Sequence, residues 1–164
     1  MATDLRAEFM ATYGGIYEHS PWVAEMVFDQ GHDKSAALDL IGPMAAVVES
    51  ASPEMQLALL RAHPDLAGKL AKTGDLTAES TSEQASAGLD QCSEAEFSEF
   101  TDLNAKYRKK FEFPYILAVR GRNRHEILAD FRSRVDNDLA TEFRQALSQV
   151  HQIARMRLEA LASP

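Results

Sequence analysis

Apolar residues recur every three or four positions along most of this chain, which is the spacing of the buried face of an α-helix. Eight helices are predicted on that basis, at residues 3–13, 21–29, 34–50, 53–63, 79–91, 94–110, 123–134 and 138–161. Residues 113–119 (FPYILAV) form the only run that would suit a buried strand, and one strand cannot form a sheet. The pattern therefore predicts an all-α protein, a compact multi-helix bundle of about eight helices.

Four of the predicted helix starts carry capping signals. Ser20 and Ser52 each stand directly before a proline, a residue that suits the first helical turn. Ser93 and Asn123 are each followed three residues later by a glutamate, which is the spacing of a capping box. These signals support the helical interpretation independently of the apolar spacing.

The last predicted helix has one apolar stripe in which an arginine takes a core position. The stripe runs through Leu139, Phe143, Ala146, Val150, Ile153 and Leu161, and Arg157 lies on it. An unpaired charge in a protein core is very costly, so Arg157 needs an internal ion pair or a path to solvent at the helix end. The functional alternative is a fixed cation whose guanidinium group binds a carboxylate.

Length and composition limit the class of protein. At 164 residues, with 45% hydrophobic and 26% charged residues, we expect a single globular domain over residues 1–164. No apolar run approaches the roughly 20 residues of a membrane-spanning helix, and the first residues do not resemble a secretory signal. One cysteine, Cys92, allows no internal disulfide. We therefore expect a cytoplasmic protein with no membrane partner.

Charge is unevenly distributed along the chain. Its 17 Lys and Arg against 25 Asp and Glu give a net charge of −8, which argues against general nucleic-acid binding. Residues 75–104 contain eight acidic residues and no Lys or Arg, whereas residues 106–134 contain nine basic residues against three acidic ones. The two regions could be helix faces that attract each other. The basic region could instead bind an anionic ligand, or an acidic partner in a non-catalytic binding module.

His63 is the histidine that stands out. It continues the row of Met55 and Leu59, and Pro64 biases it away from helical geometry, so the helix should end there with the imidazole facing inward. It could be a satisfied core residue, or a general acid–base that needs a neighbouring carboxylate. The five histidines lack the spacing of a metal site, and no HExxH or phosphate-binding loop occurs, so no metal is predicted.

A second candidate feature is one face of the helix predicted at residues 79–91. Ser80, Glu83, Gln84 and Ala87 share that face, because they stand at positions i, i+3, i+4 and i+7. It offers a hydroxyl, a carboxylate and an amide together. Such a face is ordinarily exposed to solvent; the functional alternative is a binding surface that supplies the carboxylate for His63.

Five strings in order along the chain resemble those of the cofactor-free OHCU decarboxylases, which act on 2-oxo-4-hydroxy-4-carboxy-5-ureidoimidazoline in urate degradation. They are GGIYEHSPWVAE (14–25), AHPDLAGK (62–69), SEQASAGLD (82–90), FPYILAVRG (113–121) and IARMRLEAL (153–161). The departures are slight: Tyr115 and Met156 stand where phenylalanine and leucine are more usual. Neither departure alters a charge or a catalytic atom.

This resemblance implies an all-helical, usually homodimeric lyase that converts the anionic substrate OHCU into (S)-allantoin and CO₂ without a cofactor. It implies that His63 is catalytic and that Glu83 partners it. The residues that it implies bind the substrate are Pro64, Ser80, Gln84, Ile116, Leu117, Ala118, Val119, Arg120 and Arg157. A different lyase or hydrolase on the same scaffold is the remaining enzymatic alternative.

Overall fold

A computed structural model describes residues 2–66 and 77–163. These residues contain eight α-helices and no strand, which confirms the all-α prediction, and each helix overlaps one of the eight predicted segments. The helices are α1 (Ala2–Tyr13), α2 (Trp22–Val27), α3 (Ile41–Ser50), α4 (Pro53–Arg61), α5 (Ala78–Ser86), α6 (Glu94–Phe111), α7 (Arg124–Arg134) and α8 (Leu139–Ala162). A π-helical turn at Phe28–His32 and 3-10 turns at Ala37–Leu40 and Leu89–Gln91 adjoin α2, α3 and α5.

The chain forms two compact units. The first comprises Met1–Ala62 and Val150–Pro164, and the second comprises His63–Gln149. The expectation that residues 1–164 form a single domain stays a prediction. Among the described helices, none is long and apolar enough to cross a membrane.

Three of the four predicted helix starts are capped as the sequence indicates. The Ser52 hydroxyl accepts a hydrogen bond from the Met55 amide at 3.2 Å, and complete capping boxes form at Ser93 and Asn123. The fourth differs, because α2 begins after Pro21 without a side-chain capping bond. There the carbonyl group of Ser20, rather than its hydroxyl, accepts a bond from the Val23 amide.

Aliphatic side chains form the core of the first unit. Five of them have no exposed surface: Val27, Leu40, Val48, Leu59 and Leu60. They come from α2, the 3-10 turn before α3, α3 itself and α4. Burial of such side chains is the main stabilising contribution to a fold of this size.

An aromatic cluster forms the core of the second unit. Tyr107 is at its centre, with ring centroids 4.5–5.8 Å from those of Phe111, Phe113, Tyr115 and Phe131. The Tyr115 ring also stacks on Phe131 at 3.8 Å. The cluster joins α6 and α7 to residues 113–119. Those residues lie outside any helix or strand, so the strand that their apolar run would have suited does not form.

The apolar stripe of α8 is buried in its middle and exposed at its ends. Ala146, Val150 and Ile153 are buried, as predicted. Leu139 and Leu161 are 57% and 50% exposed, so the prediction is wrong for both. They lie in the first and last turns of the helix, where fewer neighbours can cover a side chain.

Ion pairs join the acidic and basic regions of the sequence. Arg124 of α7 pairs with Glu96 of α6 at 2.9 Å, and Arg132 of α7 pairs with Glu99 of α6. The hydrogen bonds from these arginines hold the pKa of both glutamates below the ordinary value, with the Ser93 amide making the larger contribution at Glu96. The interpretation of two mutually attracting helix faces is thus confirmed for α6 and α7.

Candidate active site

His63 follows the end of a well-defined helix. Helix α4 starts at the Ser52 cap with Pro53 in its first turn and ends at Arg61, so His63 lies two residues beyond it, as Pro64 leads one to expect. Its side chain is 6% exposed. The predicted inward orientation is confirmed, although Met55 of the proposed row is 40% exposed.

The residues after His63 are attached to α6. The Asn104 side-chain amide donates to the Leu66 carbonyl at 3.0 Å, and Arg108 donates to the Asp65 carboxylate at 3.0 Å. Both bonds lie within the second unit. They fix the chain immediately beyond Pro64, which limits the positions that the His63 imidazole can take. The last three residues of the AHPDLAGK string lie outside the described residues.

Helix α5 turns its polar face inward. Thr77 caps the helix by accepting a bond from the Ser80 amide at 3.2 Å. Ser80, Gln84 and Ala87 are 5%, 4% and 4% exposed, and Glu83 is half-buried. The ordinary expectation of a solvent-exposed face is therefore wrong here. An inward hydroxyl and amide, with a half-buried carboxylate on the same helix face, are suited to holding a polar ligand.

Two buried side chains hold the segment that contains the candidate residues 116–120. Ile116, Leu117, Ala118 and Val119 are all buried, whereas Arg120 is exposed. Arg134 donates to the Ile116 carbonyl at 2.7 Å, and the Gln149 side-chain oxygen accepts from the Ala118 amide at 2.9 Å. The segment ends in a turn in which the Arg122 amide donates to the Val119 carbonyl, with Gly121 at a φ of 81°. Glycine adopts that conformation without steric cost.

Arg134 belongs to a buried polar network behind this segment. Its guanidinium group binds the fully buried Glu142 carboxylate through Nε and Nη2, at 2.9 Å for the latter. Glu142 also accepts hydrogen bonds from the Tyr107 hydroxyl and the Asn137 amide. Burial alone would lower the pKa of Arg134, but the bond and the charge of Glu142 outweigh it and raise that pKa. Burial and the Glu142 acceptor raise the pKa of Tyr107.

Arg157 lies in the first unit, whereas the other candidate residues belong to the second. It is 8% exposed, which confirms its predicted burial, while Arg155 is exposed and pairs with Glu159. The Arg157 guanidinium group is 3.7 Å from the Glu18 carboxylate, which is 2% exposed, and it contacts the carbonyl groups of Gly15 and Ile16 at 3.4 Å. The internal ion pair that the sequence left open therefore exists.

The structure thus places the candidates in two groups. His63, Pro64, Ser80, Glu83, Gln84 and residues 116–120 belong to the second unit, and Arg157 belongs to the first. The pairing of His63 with Glu83, and any common site with Arg157, stay predictions. Across residues 2–66 and 77–163, no three His, Cys, Asp or Glu side chains are placed so that they could hold a metal ion.

Sequence reasoning missed the side chains that support these groups. Gln149, Arg134, Glu142 and Glu18 are all buried, yet none was singled out from the sequence. A signal was available for two of them, because Glu142, Ala146, Gln149 and Ile153 follow a 4-3-4 spacing along α8. Polar residues on such a row are candidates for buried hydrogen bonds.

Comparisons with known proteins identify the family of this chain. The family model described as OHCU decarboxylase matches residues 4–159. The 2-oxo-4-hydroxy-4-carboxy-5-ureidoimidazoline decarboxylase of Haloferax volcanii is 45% identical over 92% of this chain and 86% of its own. That of Halalkalicoccus jeotgali is 41% identical over 97% and 88%. A crystal structure of (S)-allantoin synthase superposes with a TM-score of 0.75 at 36% identity, covering 98% of this chain and 53% of that one. The chain belongs to the OHCU decarboxylase family.

Proposed function

We propose that this protein decarboxylates OHCU to (S)-allantoin and CO₂ in urate degradation. One observation carries the proposal beyond family membership. The side chains of His63 and Gln84, from two of the strings that the family resemblance rests on, and of Ser80, two residues before the second string, are all turned inward in the same unit. Their burial provides a water-poor setting in which a hydroxyl, an amide and an imidazole can act on a small polar substrate.

The chemistry of the substrate explains why we propose catalysis without a cofactor. Decarboxylation leaves an electron pair that needs a sink, and many decarboxylases use a cofactor for that purpose. In OHCU the carbon that loses CO₂ adjoins the carbon of a ring C=N bond, so the ring itself can take up the electrons. The protein then has to orient the substrate and stabilise charge.

The proposal assigns separate roles to the proton-transfer residues and to the groups that orient the substrate. His63, with Glu83 as its charge partner, takes up the proton of the hydroxyl group on the reacting carbon. Arg157 and the main-chain groups of residues 116–120 orient the anionic substrate. The ene-like intermediate is then protonated on one face, which yields a single enantiomer of allantoin. Stereocontrol is part of the function, because spontaneous decay would give a racemate.

Ultraviolet absorbance tests the proposal directly. Urate is oxidised freshly by a uricase, and decay of the resulting intermediate is followed with and without the protein. We expect faster decay with the protein, and circular dichroism of the product should report (S)-allantoin. An unchanged decay rate would instead favour a non-catalytic binding module. Activity on another ureido compound alone would favour a different lyase or hydrolase.

Two further properties are proposed, the first from the family resemblance and the second from the sequence. We expect a homodimer, which light scattering of the purified protein measures directly. We also expect the protein to act in the cytoplasm. Neither expectation enters the chemistry proposed above.

Replacing Glu83 by glutamine should lower kcat/KM at least about tenfold, on the scale of general acid–base contributions. The substitution keeps the shape of the side chain but removes the charge that would stabilise a protonated imidazole. Glu79→Gln is the matched control, because Glu79 is an exposed glutamate in the first turn of the same helix. Parent-like turnover in Glu83→Gln would remove Glu83 from the proposal.

The Arg157→Lys variant separates a substrate role from a structural one. Lysine keeps a positive charge near Glu18 but loses the planar two-pronged donor geometry. We expect a melting temperature within a few degrees of the parent. We also expect kcat/KM to fall by a factor of ten or more, which corresponds to a loss of about 1.4 kcal/mol or more of transition-state stabilisation. Arg155→Lys, an exposed change on the same helix, is the control.

The opposite result for Arg157→Lys has an equally definite meaning. Clear destabilisation with normal turnover of the folded protein would make Arg157 a structural partner of Glu18. The cation that binds the substrate would then be sought at Arg120, which is exposed.

A further inference from the structure

The main-chain groups of residues 113–119 need hydrogen-bond partners that no helix or strand supplies. These residues lie outside any helix or strand, and residues 115–119 are at most 4% exposed. Main-chain N–H and C=O groups away from water must be hydrogen-bonded, because an unsatisfied one costs as much as a lost hydrogen bond. This segment has no sheet partner among the described residues. The Arg122 amide serves the Val119 carbonyl in the turn that follows, and side chains supply bonds further back along the segment.

Gln149 and Arg134 supply them at alternate residues. The Gln149 side-chain oxygen accepts from the Ala118 amide at 2.9 Å, and Arg134 donates to the Ile116 carbonyl at 2.7 Å. Each of the two residues is 4% exposed, so water competes little for either bond. Leu117 lies between the two bonded residues, and its main chain is therefore fixed on both sides.

Both bonding groups are themselves held in place. Gln149 lies in the middle of α8, a 24-residue helix, so its backbone is rigid. Arg134 is fixed by two bonds from Nε to Glu142, at 3.1 and 3.2 Å, and by a third from Nη2 at 2.9 Å. A main-chain segment attached to such groups is preorganised, and it keeps its position when no ligand is present.

We infer that Gln149 is a positioning residue for the substrate: through the Ala118 amide it sets the position of the main-chain groups of residues 116–120 that orient OHCU. Arg134 fixes the same segment through Ile116. The inference rests on the proposed function, in which this segment contacts the substrate. Loss of the Gln149 bond would let the segment shift, and a binding surface that is no longer preorganised binds its ligand more weakly.

Gln149→Met tests the inference, because methionine has a similar size and shape but offers no oxygen to the Ala118 amide. We expect KM for OHCU to rise about tenfold with kcat within about threefold of the parent, the signature of lost ground-state and transition-state binding together. Gln149→Asn, which keeps the amide but is one methylene shorter, should change KM in the same direction. If Gln149→Met does not fold, the KM of Gln149→Asn tests the inference in its place.

Gln56→Met is the matched control. Gln56 is also buried, at 9% exposure, and its amide donates to the Val48 carbonyl at 2.9 Å within the first unit. This variant should show a similar thermal shift and a parent-like KM. A parent-like KM in folded Gln149 variants, or an equal rise in Gln56→Met, would overturn the inference. A rate of OHCU decay that the parent protein leaves unchanged would instead refute the proposed function.

Discussion

Replacing His63 by alanine is expected to lower kcat for OHCU decarboxylation by about 10²–10⁴-fold, the range that a positioned general acid–base contributes. The product formed in the presence of this variant should approach a racemate, because spontaneous decay would then dominate. We expect the protein to stay folded, since His63 lies beyond the end of α4 rather than inside it. Absorbance decay and circular dichroism of allantoin measure the two effects.

The control for this substitution is His125→Ala. The His125 side chain is 72% exposed in the first turn of α7, so its removal should leave both turnover and product handedness unchanged. A folded His63→Ala protein with turnover like that of His125→Ala would exclude His63 from catalysis. A second general acid–base would then have to be sought on the inward face of α5.

Replacing Glu142 by leucine is expected to lower the free energy of unfolding by about 3–5 kcal/mol, the usual cost of removing one partner of a buried ion pair. For a chain of this length that corresponds to a fall in melting temperature of about 6–20 °C. Glu142 has no exposed surface. Its loss leaves the Arg134 charge with the more distant Asp130 carboxylate, at 3.7 Å, and removes an acceptor of the Tyr107 hydroxyl. Urea unfolding followed by circular dichroism gives the value.

Two comparisons identify the cause of that destabilisation. Glu99→Gln removes a charge from the exposed pair with Arg132 and should change stability little, as exposed ion pairs usually do. The double variant Glu142→Leu with Arg134→Met removes both buried charges and should recover at least half of the loss. If Glu142→Leu were no less stable than Glu99→Gln, the buried network would not stabilise the second unit.

Much of the fold could be predicted because its signals are local. Apolar spacing located all eight helices of residues 2–66 and 77–163, and the capping boxes at Ser93 and Asn123 formed as the sequence indicates. The path of residues 113–119 could not be predicted, because its hydrogen-bond partners lie 18 and 31 residues away along the chain. Nothing local in FPYILAV distinguishes a strand from a segment that is held by distant side chains.

The part of the candidate site that could be predicted is the buried position of Arg157, a charged residue on an apolar stripe. Arg157 had to be charged and buried, and the structure confirms its burial together with a partner, Glu18, that no local pattern identified. The residues that share a helix face with Ser80 and Gln84 could be predicted from the sequence. The inward orientation of that face could not, because it depends on the packing of α5. Periodicity gives the face of a helix, and tertiary contacts decide which way that face turns.

The Glu96 carboxylate connects two helix beginnings. It completes the capping box of α6 by accepting from the Ser93 amide, and it accepts from Arg124 in the first turn of α7. The pKa of Glu96 is lowered, above all by the Ser93 amide. The contribution of the Glu96 carboxylate to the stability of the fold is therefore fully present above the ordinary glutamate pKa of about 4.3. It is lost only as the pH falls through the lower pKa that Glu96 has in the folded protein. In mild acid, where ordinary surface glutamates begin to take up protons, both helix beginnings keep their shared anchor.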